Sequence, residues 1–344
     1  MDKINLMNDY NYTAHPRVLD VIQRADGKRF PGYGTDEETE KAAALIRKWT
    51  DKPDADVHFL VGGTQTNQTA IGAFLRPHEA VIAPGSAHIF MHETGAIEAA
   101  GHKVLTMAFS GEGKADPNGI QIVLDSHTDE HMVKPKLLYI SQATEFGTVY
   151  SRAELNELRK VCDRYGLFLY IDGARLGCAL AADASGLSLA DIASLSDAFY
   201  IGGTKNGLLF GEALVITNPA LRLDFRYLMK QRGALLSKGF LLGIQFCAIF
   251  EDGLYFELAR KANLSAALLS SGLEKAGVPL LTKTVTNQVF PCVPEETLRR
   301  LEERFLFERW PAYCETGVPI RFVTSWQTTE DEIKEALELI SLRL

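Results

Sequence analysis

From Val57 onward, short apolar runs and helical stretches take turns along the chain, and that alternation constrains its fold more than any other feature. Residues 57–61, 80–83, 103–107, 137–141, 167–171, 198–201 and 213–216 read as buried strands, with helices over 66–74, 91–100 and 152–165 between them. Strands that alternate with helices build βαβ units, whose strands lie parallel. The prediction is an α/β fold with a mainly parallel, seven-stranded sheet. A chain of 344 residues holds such a domain and a smaller one beside it. The pattern changes near Phe240, where a long helical stretch reaches Gly277, followed by a strand (288–293), a helix (294–307), a strand (320–323) and a helix (330–342). Residues 1–240 are thus expected to form an N-terminal segment plus the large domain, and 241–344 a small C-terminal α+β domain. Before Val57, His15-Pro16 opens a short helix, and Thr35-Asp36-Glu37-Glu38 reads as a capping box for a helix running through Trp49.

Charge and cysteine usage narrow the function classes. A net charge of −8 argues against nucleic acid as the main partner, while a locally basic site still suits an anionic ligand. No apolar run approaches the ~20 residues that cross a bilayer, and Met1 to Asn5 lacks the apolar core of a signal peptide. The expectation is a chain with no membrane partner. Cys162, Cys178, Cys247, Cys292 and Cys314 are odd in number and include no CxxC pair. Neither a disulfide framework nor a metal site is expected, and a reducing, cytoplasmic setting is.

Ligands of an open parallel sheet bind outside the carboxyl ends of its strands, and several reactive side chains fall there. Asp172-Gly173-Ala174-Arg175-Leu176 follows the run 167–171. Thr204-Lys205 follows the run 198–201, in a stretch from Ile201 to Phe210 with no other charge. Alone, Lys205 reads as a solvated lysine, Asp172 as a helix cap and Arg175 as its ion-pair partner. Together they suggest chemistry. A desolvated amine attacks an aldehyde to form a Schiff base, and a buried acid keeps a pyridine nitrogen protonated. Pyridoxal 5'-phosphate requires both. Gly62-Gly63-Thr64-Gln65-Thr66-Asn67 reads as a phosphate cup using Gly63, Thr64 and Gln65, or as a plain strand-to-helix turn; it lacks a Walker lysine. His88 follows the run 80–83 onto the same rim, where an imidazole is either structural or stacked on a cofactor ring. Glu93 reads as a helix-dipole partner or a weaker site candidate.

These residues, in this order, resemble the threonine aldolase branch of the pyridoxal phosphate enzymes of fold type I, the aspartate aminotransferase fold. The tryptophanase and tyrosine phenol-lyase group lies nearby. The likeness spans nearly the whole chain and is most specific at Asp172 to Leu176 in register with Thr204-Lys205; Gly62 to Asn67 matches the phosphate loop, and His88 with Glu93-x-Gly95 the stacking segment. The resemblance implies Lys205 as the imine-forming lysine, Asp172 as the ring-nitrogen partner and His88 as the stacking and proton-transfer group. It implies Arg175 near the ring hydroxyl or the substrate carboxylate, with Arg321 of Pro319-Ile320-Arg321-Phe322-Val323-Thr324 as a carboxylate clamp. The implied reaction is cleavage of the Cα–Cβ bond of threonine or a related β-hydroxy-α-amino acid to glycine and an aldehyde. The alternative is β-elimination from tyrosine-, tryptophan- or cysteine-type substrates; an aminotransferase or a non-catalytic protein on this fold is disfavoured. A homodimer or homotetramer with shared sites is also implied. The chain departs from the family in places. The Ser-Asp-Thr motif stands here as Asn8-Asp9-Tyr10, which leaves Asn8 to hydrogen-bond the substrate. Gln65 replaces a serine or methionine, and Thr324-Ser325 replaces Thr-His. Arg232 or Lys238 is expected to reach the phosphate, from a neighbouring subunit, and the loop Gly32 to Asp36 to lie near the site.

Overall fold

The computed structural model describes residues 3–341. Met1 and Asp2, and Leu342 at the end of the expected last helix, lie outside the described residues. A short strand β1 (Ile4–Asn5) precedes the strands of the large sheet: β2 (Asp56–Leu60), β3 (Glu79–Pro84), β4 (Val104–Met107), β5 (Lys134–Ser141), β6 (Phe168–Asp172), β7 (Ala198–Gly202) and β8 (Glu212–Ile216). The seven apolar runs correspond to these seven strands, in the order β2-β8-β7-β6-β5-β3-β4. Neighbours from β4 through β7 pair in parallel, whereas β8 is antiparallel to both β7 and β2. Every residue of β3, β7 and β8 is buried, as a sheet covered on both faces requires.

Two apolar layers cover the sheet. One face packs against the helices Glu37–Thr50, Arg152–Tyr165 and Phe240–Phe250 through Ile46, Leu158, Phe246 and Phe250. The other packs against Gly63–Phe74 and Phe225–Gln231 through Ile71, Phe74, Phe225 and Met229. Each fully buried large side chain contributes ~1.5–3 kcal/mol to holding the layers together. Phe240–Phe250, expected to begin the C-terminal domain, is buried in the large-domain core because it is apolar on every side. Gly253, at φ 82°, then separates it from Leu254–Lys275, and only the later part of that helix (Ala266, Leu269, Leu273) joins the small-domain core.

The small domain holds β9 (Gln288–Val289), β10 (Cys292–Val293), β11 (Phe305–Leu306), β12 (Glu308–Arg309) and β13 (Val318–Val323), with β13 antiparallel to β9, β10 and β12. The expected helix 294–307 is shorter, Glu295–Arg304, because Phe305 turns extended to pair with β1. The β1–β11 pair, with Val323 N–H donating to Leu6 C=O, leads the following residues from the small sheet toward the large one. Cys292 and Cys314 form a disulfide, against the expectation from cysteine spacing. Cys292 lies on β10 and Cys314 just before β13, so the pairing of these strands places the two cysteines, 22 apart in sequence, within bonding range, which spacing cannot reveal. No helix among the described residues is long and apolar enough to cross a membrane.

Candidate active site

A cavity of about 240 Å³ opens at the carboxyl ends of the parallel strands. Asp172 ends β6, Lys205 follows β7, His88 follows β3, and Gly63 opens the helix after β2. Because β8 runs the other way, its first residue, Glu212, reaches the same edge. Two glycines let the strand ends close here. A Cβ at Gly173 would lie 1.8 Å from the Tyr200 carbonyl oxygen, and one at Gly202 would lie 2.3 Å from that of Ala174.

Asp172 is buried and accepts on both oxygens. Oδ1 accepts from Tyr200 Oη (2.5 Å) and the Ala174 N–H (2.9 Å), and Oδ2 from Tyr139 Oη (2.5 Å) and Asn67 Nδ2 (2.9 Å). Burial pushes its pKa up, but His88 and these side-chain donors outweigh it, so the group lies below the ordinary carboxylate range. Asn67 also donates to Glu93 Oε1 (2.8 Å), which pairs with His88 Nδ1 (2.8 Å). Glu93 reaches this place because the expected helix 91–100 is broken: Thr94 (φ 52°) and Gly95 (φ 71°) adopt left-handed conformations between His88–Met91 and Ala96–Ala99. Glu145 lies beside His88. Its Oε1 accepts from the His88 N–H (3.0 Å) and Ser141 Oγ (2.7 Å), and burial raises its pKa.

Lys205 Nζ makes no hydrogen bond or ion pair among the described residues; its nearest ring is Tyr10, at 5.9 Å. Burial, then the Arg175 charge, lowers its pKa against the pull of Asp9, Asp172 and Glu212. Thr204 lines the cavity, but its hydroxyl donates to Glu212 Oε1 (2.8 Å) and accepts from the Gly211 N–H (3.0 Å). Glu212 also accepts the Gly203 N–H (3.0 Å), and burial pushes its carboxyl up to about 8. Arg175 lines the cavity with Nε (2.7 Å) and Nη2 (3.1 Å) tied to the buried carboxylate of Asp9, which leaves Nη1 unused.

The structure brings His88, Asp172, Arg175, Thr204, Lys205, Gly63 and Thr64 to one cavity. Three expected site residues do not line it. Asn8 turns back to accept the Tyr10 N–H (3.1 Å), and the next two residues, Asp9 and Tyr10, engage the site instead. The Gln65 side chain accepts the Val61 N–H (3.3 Å), leaving only its backbone at the helix start. Arg321 is held by Glu308 and lies over the Trp310 ring (5.0 Å), the structural ion pair in place of a free clamp. Neither Arg232, packed on Gly72, nor Lys238 lines the cavity of this chain. Sequence reasoning missed Glu145, Glu212, Tyr139 and Tyr200. An acid or phenol in an apolar run carries no spacing signal, although the two acids do flank strand ends.

The residues fit pyridoxal phosphate. They include a half-buried amine with no hydrogen bond or ion pair among the described residues, a charged acid lining the same cavity, and helix-start amides at Gly63 to Gln65 that have no intrahelical acceptor. Comparison with known proteins agrees. Residues 27–296 match the model of the family described as beta-eliminating lyase. The chain is 35% identical to the low specificity L-threonine aldolase of Pseudomonas sp. (strain NCIMB 10558), over 93% of this chain and 92% of that protein. It is 27% identical to the low specificity L-threonine aldolase of Escherichia coli (strain K12), over 71% and 72%. A solved structure of Leishmania major threonine aldolase superposes with a TM-score of 0.96 at 45% identity, covering 98% of this chain and 99% of that one. Thermus thermophilus aspartate aminotransferase, at 16% identity and a TM-score of 0.74 over 100% and 92%, shares the fold.

Proposed function

The chain belongs to the beta-eliminating lyase family, in its low-specificity L-threonine aldolase branch, and from that premise we propose that it is a pyridoxal phosphate-dependent carbon–carbon lyase. It cleaves L-threonine and related β-hydroxy-α-amino acids between Cα and Cβ, giving glycine and an aldehyde. The observation that carries this reading is the convergence of Lys205, Asp172 and His88 on one cavity in a chain so similar to threonine aldolases.

Lys205 would supply the amine that holds the cofactor's aldehyde, and burial, which lowers its pKa, favours the nucleophilic form. Asp172 would partner the ring nitrogen, and the Gly63 to Gln65 amides with the Thr64 hydroxyl would hold the phosphate. Once bound, the cofactor draws electrons away from the breaking Cα–Cβ bond. Arg175 Nη1 takes the substrate carboxylate while Asp9 fixes the guanidinium plane, which orients the scissile bond. Arg321, paired with Glu308, is a second cation beside Arg175. With Nδ1 paired to Glu93, His88 turns Nε2 toward the β-hydroxyl as the proton-transfer group, and Glu145 is a second acceptor beside it. Assembly as a homodimer or homotetramer with shared sites belongs to the same reading and is supported by family likeness; cytoplasmic residence is proposed from the cysteine usage and the N-terminal sequence.

The family match also favours a second reading, β-elimination. Incubation with threonine, phenylserine and cysteine separates them. Glycine plus an aldehyde is the expected outcome, and pyruvate plus ammonia would overturn aldol cleavage in favour of elimination.

A further inference from the structure

Burial by itself favours the protonated form of Asp172. Three side-chain donors oppose it. Tyr139 stands on β5 and Tyr200 on β7, the strands either side of β6, and each directs its hydroxyl at one carboxylate oxygen (both 2.5 Å). Asn67 adds a third contact at 2.9 Å. Its amide is oriented by Tyr170, whose Oη donates to Asn67 Oδ1 (3.1 Å), so Nδ2 serves both Asp172 and Glu93. All three phenols are buried among apolar side chains in the layer formed by β5, β6 and β7. Burial, then the Asp172 charge, pushes each phenol well above its ordinary value, so all three remain donors.

On the reading proposed above, we infer that Tyr139 and Tyr200, with Asn67 held by Tyr170, are positioning residues that keep Asp172 ionised and hold the shared proton on the cofactor's ring nitrogen. One proton has two homes, a carboxylate oxygen or that nitrogen. Each donor removed makes the carboxylate more basic and draws the proton toward Asp172, with no other atom transferred. Among the described residues His88, Glu93, Glu145, Lys205 and Glu212 are the other titratable groups gathered around Asp172. They remain unaltered in tyrosine-to-phenylalanine variants, so they form a constant background.

The test loads the full-length protein with pyridoxal phosphate labelled with ¹⁵N at the ring and reads the nitrogen chemical shift at fixed pH. The wild type is expected at the protonated-pyridine position. Tyr139→Phe and Tyr200→Phe each lower the ratio of protonated to neutral nitrogen by roughly tenfold, the effect of one hydrogen bond to a charged group. The double variant moves further, and Tyr170→Phe moves the same way by less. A neutral nitrogen in the wild type, or variants that keep the wild-type shift, overturns the inference. If the double variant fails to fold, Tyr170→Phe decides it, being one bond removed from the acid. A wild type that takes up no cofactor overturns the functional reading itself. Uptake with unmoved shifts overturns this inference alone.

Discussion

Lys205 Nζ makes no hydrogen bond or ion pair among the described residues, and burial, then the Arg175 charge, lowers its pKa, which shifts it toward the nucleophilic form. Lys205→Ala is expected to abolish both the near-visible absorbance acquired with pyridoxal phosphate and the aldol cleavage; retention of both would remove the lysine from the site. Glu145→Gln keeps the shape and removes the proton-accepting carboxylate. It is expected to lower kcat for threonine about 100-fold with a smaller effect on KM, and an unchanged kcat would leave His88 as sole base. At this scale the sequence was readable where a polar residue interrupts an apolar surrounding at a strand end, as at Asp172 and Lys205. It was unreadable at Tyr139 and Tyr200, which pass as ordinary strand residues until neighbouring strands aim both hydroxyls at one acid. Which side chains of Asn8-Asp9-Tyr10 turn inward is not readable from the motif, since it depends on how β1 is anchored; here Asp9 and Tyr10 do so, not Asn8.

Strand β2 carries His58, which packs against Phe225 (4.8 Å between rings) and whose Nε2 has no hydrogen-bond partner among the described residues, with Asp56 Oδ2 3.9 Å away. Burial, with Arg226 and Arg47, lowers its pKa from 6.5 to about 4. The unfolded chain therefore binds this proton more readily than the folded one. The stability it contributes is present above pH 6.5 and is lost as the pH falls from 6.5 through about 4, amounting to about 3 kcal/mol. Thermal unfolding followed across that window should show the loss, and His58→Phe should flatten part of it; an unchanged slope in the variant would assign the loss to other groups. The large-sheet strands were foreseen because a run buried on both faces needs no partner information. The break at Thr94-Gly95 was not, because it depends on what Glu93 gains by turning inward to Asn67 and His88. The antiparallel course of β8, which delivers Glu212 to the cavity, likewise depends on which neighbour a strand finds.

Across the whole molecule, the cysteines give a count that checks the architecture. With Cys292 and Cys314 joined and Cys162, Cys178 and Cys247 buried, thiol titration of the unfolded, unreduced chain should find three thiols, rising to five after reduction. Five before reduction would mean that the pair is open, as a reducing compartment favours. The domain division is soft for a related reason: composition changes near Phe240, but contacts change within Leu254–Lys275. The two-residue pair β1–β11 is small, yet Asp9 lies only a few residues beyond it and anchors Arg175. A rotation of the small domain must therefore drag that carboxylate along or unzip the pair. On the proposed role of Arg175, the carboxylate that sets its guanidinium plane is thus strapped to the C-terminal sheet.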